Sequence, residues 1–389
     1  MLVDDLPTPC LLVEQERLHA NLKRMQQRAG ANGVSLRPHV KTHKSIAIAR
    51  LQLEGGARGI TAAKVGEVET FVAAGIDDVR LAYTVVGDDK YMRLLKLMDD
   101  AKLSFCVDTI EGARKASGFF ESRGRAVDVL LEVDSGLHRC GVDPTDERSI
   151  EVAREIASLP GLRLIGILTH AGQVYNGPHG GESPREALVR VSNHERNVML
   201  AFALRLREAR IPGVEPGRFD ISIGSTPTMR HFENRDLDGF QITEIRPGNY
   251  VFNDAMQVGL EVADLEECAL TVLTTVISRH RDRSGHERLF VDAGKKVMTS
   301  DTGYRTDGFG TLLYNARVME PLPHAHVIGL SEEHGWIDVS GGSTFAVGDS
   351  IRLVPNHACT AVNTQDVFHL VTGEDVVDTL QVDARGRVV

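Results

Sequence analysis

Lys41 is the residue in this sequence whose position best suits covalent chemistry. It closes the stretch LRPHVK, in which Pro38 lacks a backbone N–H and is expected to end a short strand on the lysine. The carboxyl end of a barrel strand is where such folds place reactive groups. Lys41 is either a solvated loop residue or an amine of lowered pKa that attacks carbonyl groups. This stretch alone leaves both interpretations open.

Reactive or glycine-rich residues also follow the other predicted strands. Their carboxyl ends carry, in order, Lys64, Tyr83, Asp108, Asp134 to Arg139, His170, Gly224 to Thr226 and Arg246 to Gly248. The amino ends show nothing comparable. Barrel enzymes bind phosphate with the loops after the seventh and eighth strands, which here read GSTPT (224–228) and RPGNY (246–250). Each loop alone would be an ordinary turn, but together with Lys41 they predict pyridoxal phosphate held across a barrel mouth.

Predicted strands alternate with helices or helical turns over the first two thirds of the chain. The strands are expected at residues 35–40, 59–63, 78–83, 102–107, 127–133, 163–169, 219–223 and 242–245. This alternation predicts an α/β chain with a (β/α)8 TIM-type barrel over residues 14–255. The rival doubly wound sheet would need a glycine-rich phosphate turn after its first strand, and the sequence has none there. Short β-rich runs predict a C-terminal β domain at residues 256–389, which a strand within residues 1–13 can join.

Composition excludes several classes of protein. The formal net charge of -10 argues against nucleic acid as a partner, and the longest apolar run, 198–204, is too short to cross a bilayer. The first residues show neither a basic nor an apolar leader segment, so no signal peptide is expected. Five widely scattered cysteines are typical of reduced thiols. We therefore expect a cytoplasmic protein without a membrane partner.

Seven short segments make the sequence resemble a known family. They are RPHVKTHK (37–44), LTHAG (168–172), GSTPT (224–228), PGNYVF (247–252), VDAG (291–294), EHG (333–335) and PNHAC (355–359). Together they resemble the alanine-racemase-like (fold type III) pyridoxal phosphate enzymes, in the branch of D-serine dehydratase and D-threonine aldolase. The resemblance runs nearly end to end and implies pyridoxal 5'-phosphate as cofactor and a homodimer as the assembly.

The resemblance assigns roles to individual residues around the cofactor. Lys41 would form the Schiff base, and His170 would lie beside the ring as a base toward the substrate hydroxyl. Arg139 would approach the phenolic oxygen, and Arg246 would face the pyridine nitrogen and keep it unprotonated. The phosphate would be held by residues of the two glycine loops: Gly224, Ser225, Thr226, Gly248, Asn249 and Tyr250. Without these partners, either arginine would be an ordinary surface ion pair.

The resemblance also implies a divalent metal at His357 and Cys359, in the C-terminal domain. On an extended segment, two side chains separated by one residue point the same way. A neutral imidazole and a thiolate suit Zn²⁺ better than Mg²⁺ or Mn²⁺. Water and substrate would complete such a site.

The implied activity is that of a lyase acting on β-hydroxy D-amino acids of the D-serine or 3-hydroxyaspartate type. Dehydration to a keto acid and ammonia is favoured, because the His-x-Cys, THAG and GSTPT motifs resemble those of the dehydratases. Aldolases of the branch more often show His-x-Asp. The alternative is D-threonine aldolase activity, which yields glycine and an aldehyde. Tyr175 would contact substrate or cofactor or be an ordinary loop residue, and residues 176–181 would form a lid or a flexible connection.

Two other classes stay open. One is a metallohydrolase barrel without pyridoxal phosphate, in which His39, His43 and His170 bind the metal. The other is a pyridoxal phosphate carrier without catalysis, against which the metal pair of the C-terminal domain speaks. An acidic substrate side chain would need a nearby cation, and the candidates are three lysines: Lys64, Lys295 and Lys296.

Overall fold

The computed structural model describes residues 1–283, 285–340 and 342–389. Strands and helices alternate through the first part of the chain: β1 (Cys10–Glu14), α1 (Gln15–Ala31), β2 (Ser35–Leu36), α2 (Ile46–Glu54), β3 (Ile60–Ala62), α3 (Val65–Ala73), β4 (Asp78–Thr84), α4 (Asp88–Leu97), β5 (Lys102–Val107), α5 (Ile110–Glu121), β6 (Val127–Val133), α6 (Glu147–Ser158), β7 (Leu162–Thr169), α7 (Pro184–Glu208), β8 (Asp220–Ile223) and β9 (Glu244–Ile245). Strands dominate the rest: α8 (Ala255–Gly259), β10 (Leu270–Arg281), β11 (Glu287–Val291), β12 (Thr311–Asn315), β13 (Glu320–Pro321), β14 (Ala325–Leu330), β15 (Gly335–Val339), β16 (Ser350–Val354), α9 (Ala358–Val362), β17 (Val367–Thr372) and β18 (Asp375–Gln381).

Eight parallel strands form a curled sheet in the order β2-β9-β8-β7-β6-β5-β4-β3. Its two ends meet where His39 forms a parallel bridge with Thr61 and the Thr61 N–H donates to the Pro38 carbonyl at 2.8 Å. The predicted α/β barrel fold with a C-terminal β domain is therefore confirmed. The longest helix, α7, begins as its sequence indicates, with Ser183 and Glu186 in a capping box around the first-turn Pro184.

The first barrel strand differs from its prediction. A strand over residues 35–40 ending on Lys41 is wrong, because β2 is only Ser35–Leu36 and Lys41 lies inside the 3-10 turn Val40–Thr42. The chain stays extended as far as His39, whose N–H donates to the Pro247 carbonyl at 3.0 Å. Pro38, which lies between the hydrogen-bonded residues Arg37 and His39, has no N–H to donate. The hydrogen-bond ladder between β2 and β9 therefore ends at this residue.

The second sheet contains the C-terminal strands together with β1. Its main path is β13-β12-β16-β10-β1-β17-β18, and β11, β14 and β15 extend it from β10. The strand β1 is antiparallel to β10 and parallel to β17. Leu11 and Val13 point into the large core that includes the barrel, whereas Cys10 and Leu12 pack into a small cluster on the other face. The two faces of one short strand thus join the β domain to the barrel.

A buried charged cluster lies inside the barrel near the starts of β4, β8 and β9. Arg37 contacts Glu244 and Asp78 at 2.6 Å each, and Arg80 contacts Glu244 at 2.6 Å and Asp220 at 2.7 Å. Burial would raise the pKa of Glu244, but the two arginines lower it to about 2. The prediction that the amino ends of the strands carry nothing comparable is therefore wrong. Acidic residues at strand starts resemble solvated turn residues, and the arginines that pair with these carboxylates lie far from them in the sequence.

In the part of the chain that the structure describes, no helix is long and apolar enough to cross a membrane.

Tight packing between β7 and β8 leads to a test of the barrel wall. A Cβ atom at Gly166 would lie 2.4 Å from the Asp220 carbonyl oxygen, whereas a Cβ atom at Gly118 on α5 meets nothing within 4 Å. We expect Gly166→Ala to destabilise the protein by about 1–3 kcal/mol through overpacking, and Gly118→Ala to be neutral or stabilising by up to about 1 kcal/mol. Thermal denaturation measures both changes, and equal melting temperatures for the two variants would contradict this packing.

Candidate active site

A cavity of ≈ 910 Å³ opens at the carboxyl ends of the barrel strands, where residues of the C-terminal domain also reach it. It is lined by all but one of the residues predicted to form the site: Lys41, Arg139, His170, Tyr175, Gly224, Ser225, Thr226, Arg246, Gly248, Asn249, His357 and Cys359. Tyr250 is the exception. Its side chain is buried behind the loop and its hydroxyl accepts a hydrogen bond from Gln52 Nε2 at 3.0 Å, while its N–H donates to Thr226 Oγ1 at 3.0 Å.

The Lys41 amine stands in a poorly solvated position. Burial lowers the pKa of its ammonium group, an effect opposed by the Cys359 thiolate and reinforced by the Arg139 guanidinium. The Lys41 backbone N–H meets His39 Nδ1 at 3.4 Å, within the 3-10 turn that aims the residue at the cavity. An amine with a lowered pKa keeps a larger unprotonated fraction and is a better nucleophile toward carbonyl carbon.

His170 is held in one tautomer. Its Nδ1 lies 3.0 Å from the Gly224 carbonyl oxygen, and because a carbonyl only accepts, Nδ1 carries the hydrogen and Nε2 keeps its lone pair. Burial, with a smaller contribution from Lys41, lowers the pKa of His170 to about 3. The imidazole is therefore neutral at physiological pH, and its free nitrogen is a proton acceptor.

The loops after β8 and β9 form a close-packed cradle. Gly224 has a φ of 136°, and a Cβ atom there would lie 2.9 Å from the backbone nitrogen of Arg246. A Cβ atom at Gly248 would lie 2.9 Å from Thr42 Oγ1. The side chains of Ser225 and Thr226 are buried and line the cavity. Two glycines that admit no side chain, beside two buried hydroxyl groups, fit a small anion such as phosphate.

Glu195 fixes this cradle from behind, and the sequence analysis missed it. Its Oε1 accepts hydrogen bonds from the Gly224 N–H at 3.0 Å and the Ala171 N–H at 3.3 Å, which ties the loops after β7 and β8 together. The side chain is fully buried, and burial raises the pKa of its carboxyl group. Glu195 lies on the apolar stripe of α7 that also contains Val191 and Met199. An acidic residue on such a stripe is the signal that could have revealed it.

The two predicted arginines have different surroundings. Arg246 is 4% exposed, and its Nε donates to Ser222 Oγ at 2.7 Å. The Arg139 side chain is 57% exposed and lies 3.8 Å from Glu132 Oε1. The second oxygen of Glu132 is buried and has no hydrogen-bond partner among the residues that the structure describes, and burial raises the pKa of this carboxyl group. Glu132 lines the cavity, and its unpaired oxygen fits a space made for a polar ligand.

His357 and Cys359 meet at the edge of the cavity that the C-terminal domain supplies. They do not lie on an extended segment as predicted, because His357 is the N-cap of α9 and Cys359 is in its first turn. Asp254 Oδ2 accepts the Ala358 N–H at 2.9 Å and so supports the start of this helix. His357 Nδ1 lies 2.7 Å from Asp301 Oδ2, an arrangement that leaves Nε2 for a ligand.

His357 and Cys359 stabilise each other's charged forms, an imidazolium beside a thiolate. Burial raises the pKa of the Cys359 thiol, but His357 and then Lys41 outweigh it and lower the pKa overall. For His357, burial is outweighed by Cys359, Asp254 and Asp301, which raise the pKa to about 10. Among the described residues, no group of three or more His, Cys, Asp or Glu side chains could hold a metal. A divalent metal that displaced the proton of His357 Nε2 would have one nitrogen and one sulfur donor here, with its other positions left to water or substrate.

The remaining predicted residues separate into two groups. Tyr175 is partly buried in the 3-10 turn Gly172–Asn176, and its hydroxyl accepts a hydrogen bond from Gln257 Nε2 at 3.3 Å. Lys64 also lines the cavity, with Nζ 4.1 Å from the centroid of the Tyr83 ring. Lys295 and Lys296 are exposed and lie outside the cavity lining.

The metallohydrolase alternative finds no support in this geometry. His39 and His170 line the cavity, but His43 is buried with Nε2 3.2 Å from Gln52 Oε1. These histidines do not form a metal-binding group in the described part of the chain.

The start of the 176–181 loop packs against the C-terminal domain, since a Cβ atom at Gly177 would lie 2.6 Å from the Tyr304 ring.

Comparison with known proteins gives two family matches that together cover most of the chain. The alanine racemase N-terminal domain matches residues 13–255, and a putative serine dehydratase domain matches residues 269–371.

Curated relatives align over nearly the whole length. D-threo-3-hydroxyaspartate dehydratase of Delftia sp. (strain HT23) is 33% identical over 386 residues, which is 96% of each chain. D-threonine aldolase of Arthrobacter sp. is 33% identical over 384 residues, covering 97% of this chain and 93% of the relative. D-serine dehydratase of Dictyostelium discoideum is 28% identical over 409 aligned positions, covering 96% of each chain.

The structure of the Delftia dehydratase superposes with a TM-score of 0.86 at 32% identity and covers 98% of both chains. Two further structures of a D-threo-3-hydroxyaspartate dehydratase carry a histidine or a cysteine substitution, and the cysteine variant is in a metal-free form. The two replaced residues are two positions apart, as are His357 and Cys359 here. The chain belongs to the alanine-racemase-like family, in the branch that joins this barrel to a serine dehydratase-type C-terminal domain.

Proposed function

We propose that this chain is a lyase, dependent on pyridoxal phosphate and a divalent metal, that dehydrates and deaminates a β-hydroxy D-amino acid of the D-serine or 3-hydroxyaspartate type. The observation that carries the proposal is that one cavity holds the desolvated amine of Lys41, the neutral imidazole of His170 and the donor pair His357 and Cys359. The products would be a keto acid and ammonia.

The cavity fits pyridoxal phosphate at each of its functional groups. Lys41 would bind the aldehyde carbon, Arg246 the pyridine nitrogen, and Arg139 the phenolic oxygen. The phosphate would lie in the cradle formed by residues of two loops: Gly224, Ser225, Thr226, Gly248 and Asn249. When bound, the cofactor supplies an electron sink for the bond that breaks at the α-carbon of the amino acid.

The protein's own groups would move the protons. With its lowered pKa, Lys41 Nζ can take the proton from the α-carbon, since lowering the pKa of an amine enlarges the unprotonated fraction that acts as a base. His170 Nε2, which is neutral and fixed by its bond to Gly224, would receive the substrate hydroxyl as a hydrogen-bond donor. Tyr175 would close the same side of the cavity and exclude water from it.

The metal pair gives the reason to favour dehydration. Hydroxide is a poor leaving group, and a divalent cation held by His357 Nε2 and Cys359 Sγ would supply Lewis acid assistance at the hydroxyl oxygen. Asp301 would orient the histidine ring from behind, as carboxylates commonly do at zinc ligands. The Delftia dehydratase, with replaceable histidine and cysteine residues at the same spacing, supports this assignment.

Retro-aldol cleavage is the second candidate. A D-threonine aldolase is as similar in sequence as the dehydratase, at 33% identity. A neutral His170 could equally remove the proton of the substrate hydroxyl, which is the step that aldol cleavage requires.

Zn²⁺ is our proposal for the metal because of the thiolate ligand, with Mn²⁺ or Mg²⁺ as alternatives.

The proposal extends to the organisation of the protein. We infer a barrel unit at residues 14–255 and a metal-bearing unit at residues 256–389, a homodimer, and a cytoplasmic location. All five cysteines are free, which is typical of a reducing compartment. Light scattering of the purified protein measures the oligomeric state.

The covalent role of Lys41 gives the first test of this proposal. After addition of pyridoxal phosphate and borohydride reduction, peptide mapping is expected to find the pyridoxyl group on Lys41. Lys41→Ala should lose the label and more than about a thousandfold of the activity. Lys296→Ala, whose side chain is 64% exposed, is the matched lysine control and should keep both. A Lys41→Ala variant as active as wild type would refute the proposal.

The products and the metal give the second test. The protein is incubated with D-serine, D-threonine and the 3-hydroxyaspartate isomers, with and without chelator, and the products are identified. We expect ammonia and a keto acid, lost on chelation and restored by Zn²⁺. Glycine plus an aldehyde would identify the aldolase instead.

Variants of the metal pair complete this second test. His357→Asn and Cys359→Ser should each lower bound metal, measured by mass spectrometry of the metal content, and activity by at least about tenfold. His369→Asn, on β17 of the same C-terminal domain, should change neither. Full activity after chelation would contradict the metal role.

The third test concerns the protonation of His170. Because its pKa lies at about 3, below the usual value near 6.5, the imidazole stays neutral as the pH falls from 8 to 5 and should not titrate. NMR of ¹⁵N-labelled histidines in the cofactor-free protein, with His170→Gln to assign the signal, measures this directly. A His170 signal that titrates near pH 6.5 would show that the imidazole is not the buried, neutral acceptor described above.

A further inference from the structure

Arg246 is held by a hydroxyl group rather than by a carboxylate. Its Nε donates to Ser222 Oγ at 2.7 Å, and its Nη2 donates to the carbonyl oxygens of Ser222 and Thr169. Among the described residues, no hydrogen bond engages Nη1, and Arg246 lines the cavity. The guanidinium is thus fixed along one edge and keeps donors for a ligand on the other.

The hydroxyl of Ser222 is itself oriented. Ser222 Oγ donates to Glu244 Oε1 at 2.6 Å, and this carboxylate can only accept because the pKa of Glu244 is low, at about 2. A hydroxyl group has one hydrogen, so with that hydrogen given to Glu244 the lone pairs of the oxygen face Arg246. The direction of both hydrogen bonds follows from this single constraint.

Glu244 is anchored from the other side by two arginines. Arg37 Nε and Arg80 Nη1 each approach it at 2.6 Å, and these arginines in turn pair with Asp78 and Asp220. Glu244 is therefore already neutralised and does not need the charge of Arg246. Ser222 links Arg246 to the fixed carboxylate through two hydrogen bonds. The positive charge of Arg246 is not neutralised by this link and stays available in the cavity.

We propose that Ser222 and Glu244 form a positioning relay that fixes the charged Arg246 as a hydrogen-bond donor to an unprotonated ring nitrogen of the bound cofactor. The inference rests on the proposed function, because it requires a pyridine ring in the cavity. Its consequence is that the relay, not Arg246 alone, determines how tightly the ring is held and whether its nitrogen takes up a proton. A permanently charged neighbour opposes protonation only as long as it stays in place.

The groups around Arg246 decide which pH range is informative. The charged or titratable side chains that interact with it are Glu244, Cys106, Arg80, Glu195, Lys41, Glu132, His39 and His170. Of the nearby histidines, burial lowers the pKa of His39 well below its usual value and that of His170 to about 3. His170 therefore stays neutral between pH 5 and 9, and His39 and the other groups are the same in wild type and variant. A difference between their spectra in this range therefore reports on the ring nitrogen.

The experiment compares Ser222→Ala with Ser104→Ala in the full protein. Ser104 Oγ accepts a hydrogen bond from Arg80 Nε at 3.2 Å, so its removal also costs the buried charged cluster one hydroxyl partner but does not touch Arg246. The measurements are the dissociation constant for pyridoxal phosphate and the absorbance of the bound cofactor from pH 5 to 9. Ser222→Ala keeps the bonds of Glu244 to both arginines, and circular dichroism checks its folding.

We expect Ser222→Ala to bind pyridoxal phosphate about tenfold more weakly, equivalent to about 1.4 kcal/mol, and to acquire a pH-dependent absorbance change that wild type lacks. Ser104→Ala should resemble wild type in both measurements, and Ser222→Thr, which restores the hydroxyl, should recover wild-type behaviour. If Ser222→Ala does not fold, Ser222→Cys supplies the same comparison with a group of similar size and weaker donor strength.

The relay is refuted if Ser222→Ala keeps the wild-type affinity and pH-independent spectrum, or if Ser104→Ala is changed equally. Its failure is distinct from failure of the proposed function. If only the relay fails, wild type still binds pyridoxal phosphate on Lys41. If the proposed function fails, wild type does not bind pyridoxal phosphate at all.

Discussion

Removal of water from the Lys41 amine is the constraint on which the rest of the site depends. An ordinary lysine ammonium would be a solvated cation, but burial lowers the pKa of this one. The cavity that buries it also neutralises His170 and strengthens the mutual stabilisation of His357 and Cys359. Burial in one cavity thus gives a nucleophile, a base and a donor pair their chemical character, because low local polarity strengthens each of these effects.

The fold explains why this space exists at all. The carboxyl ends of the barrel strands supply its floor, and the C-terminal domain supplies the edge that carries His357 and Cys359. The two parts are joined by β1, which pairs with β10 and β17 and buries side chains on both faces. The site therefore lies at the interface between the barrel and the β domain. Neither the barrel nor the β domain contains the complete set of groups.

The sequence predicted the regular parts of the fold well. The strands at 102–107 and 127–133 agree with β5 and β6 residue for residue, because apolar runs bounded by turns are typical of buried parallel strands. The prediction was wrong around Lys41, where Pro38 shortens β2 and a 3-10 turn replaces the strand end. Position along a strand depends on hydrogen bonds to neighbours far away in sequence, and a single segment does not reveal those partners.

For the site, motifs identified the residues that face the cavity but not those that hold them. Glu195, Ser222 and Glu244 belong to no recognisable motif, and each acts through a contact more than 20 residues away in sequence. Glu244 is a charged residue inside a predicted strand, a pattern that indicates a buried partner of opposite charge but does not identify it. Lys64 reaches the cavity whereas Lys295 does not, a distinction that only the three-dimensional arrangement of strand ends can make.

A crystal structure of the protein grown with pyridoxal phosphate tests the central claim most directly. We expect continuous electron density from Lys41 Nζ to the cofactor, with the phosphate in the Gly224 and Gly248 loops and the pyridine nitrogen beside Arg246. A cofactor bound elsewhere, or one lying in the cavity without a covalent bond to Lys41, would contradict it.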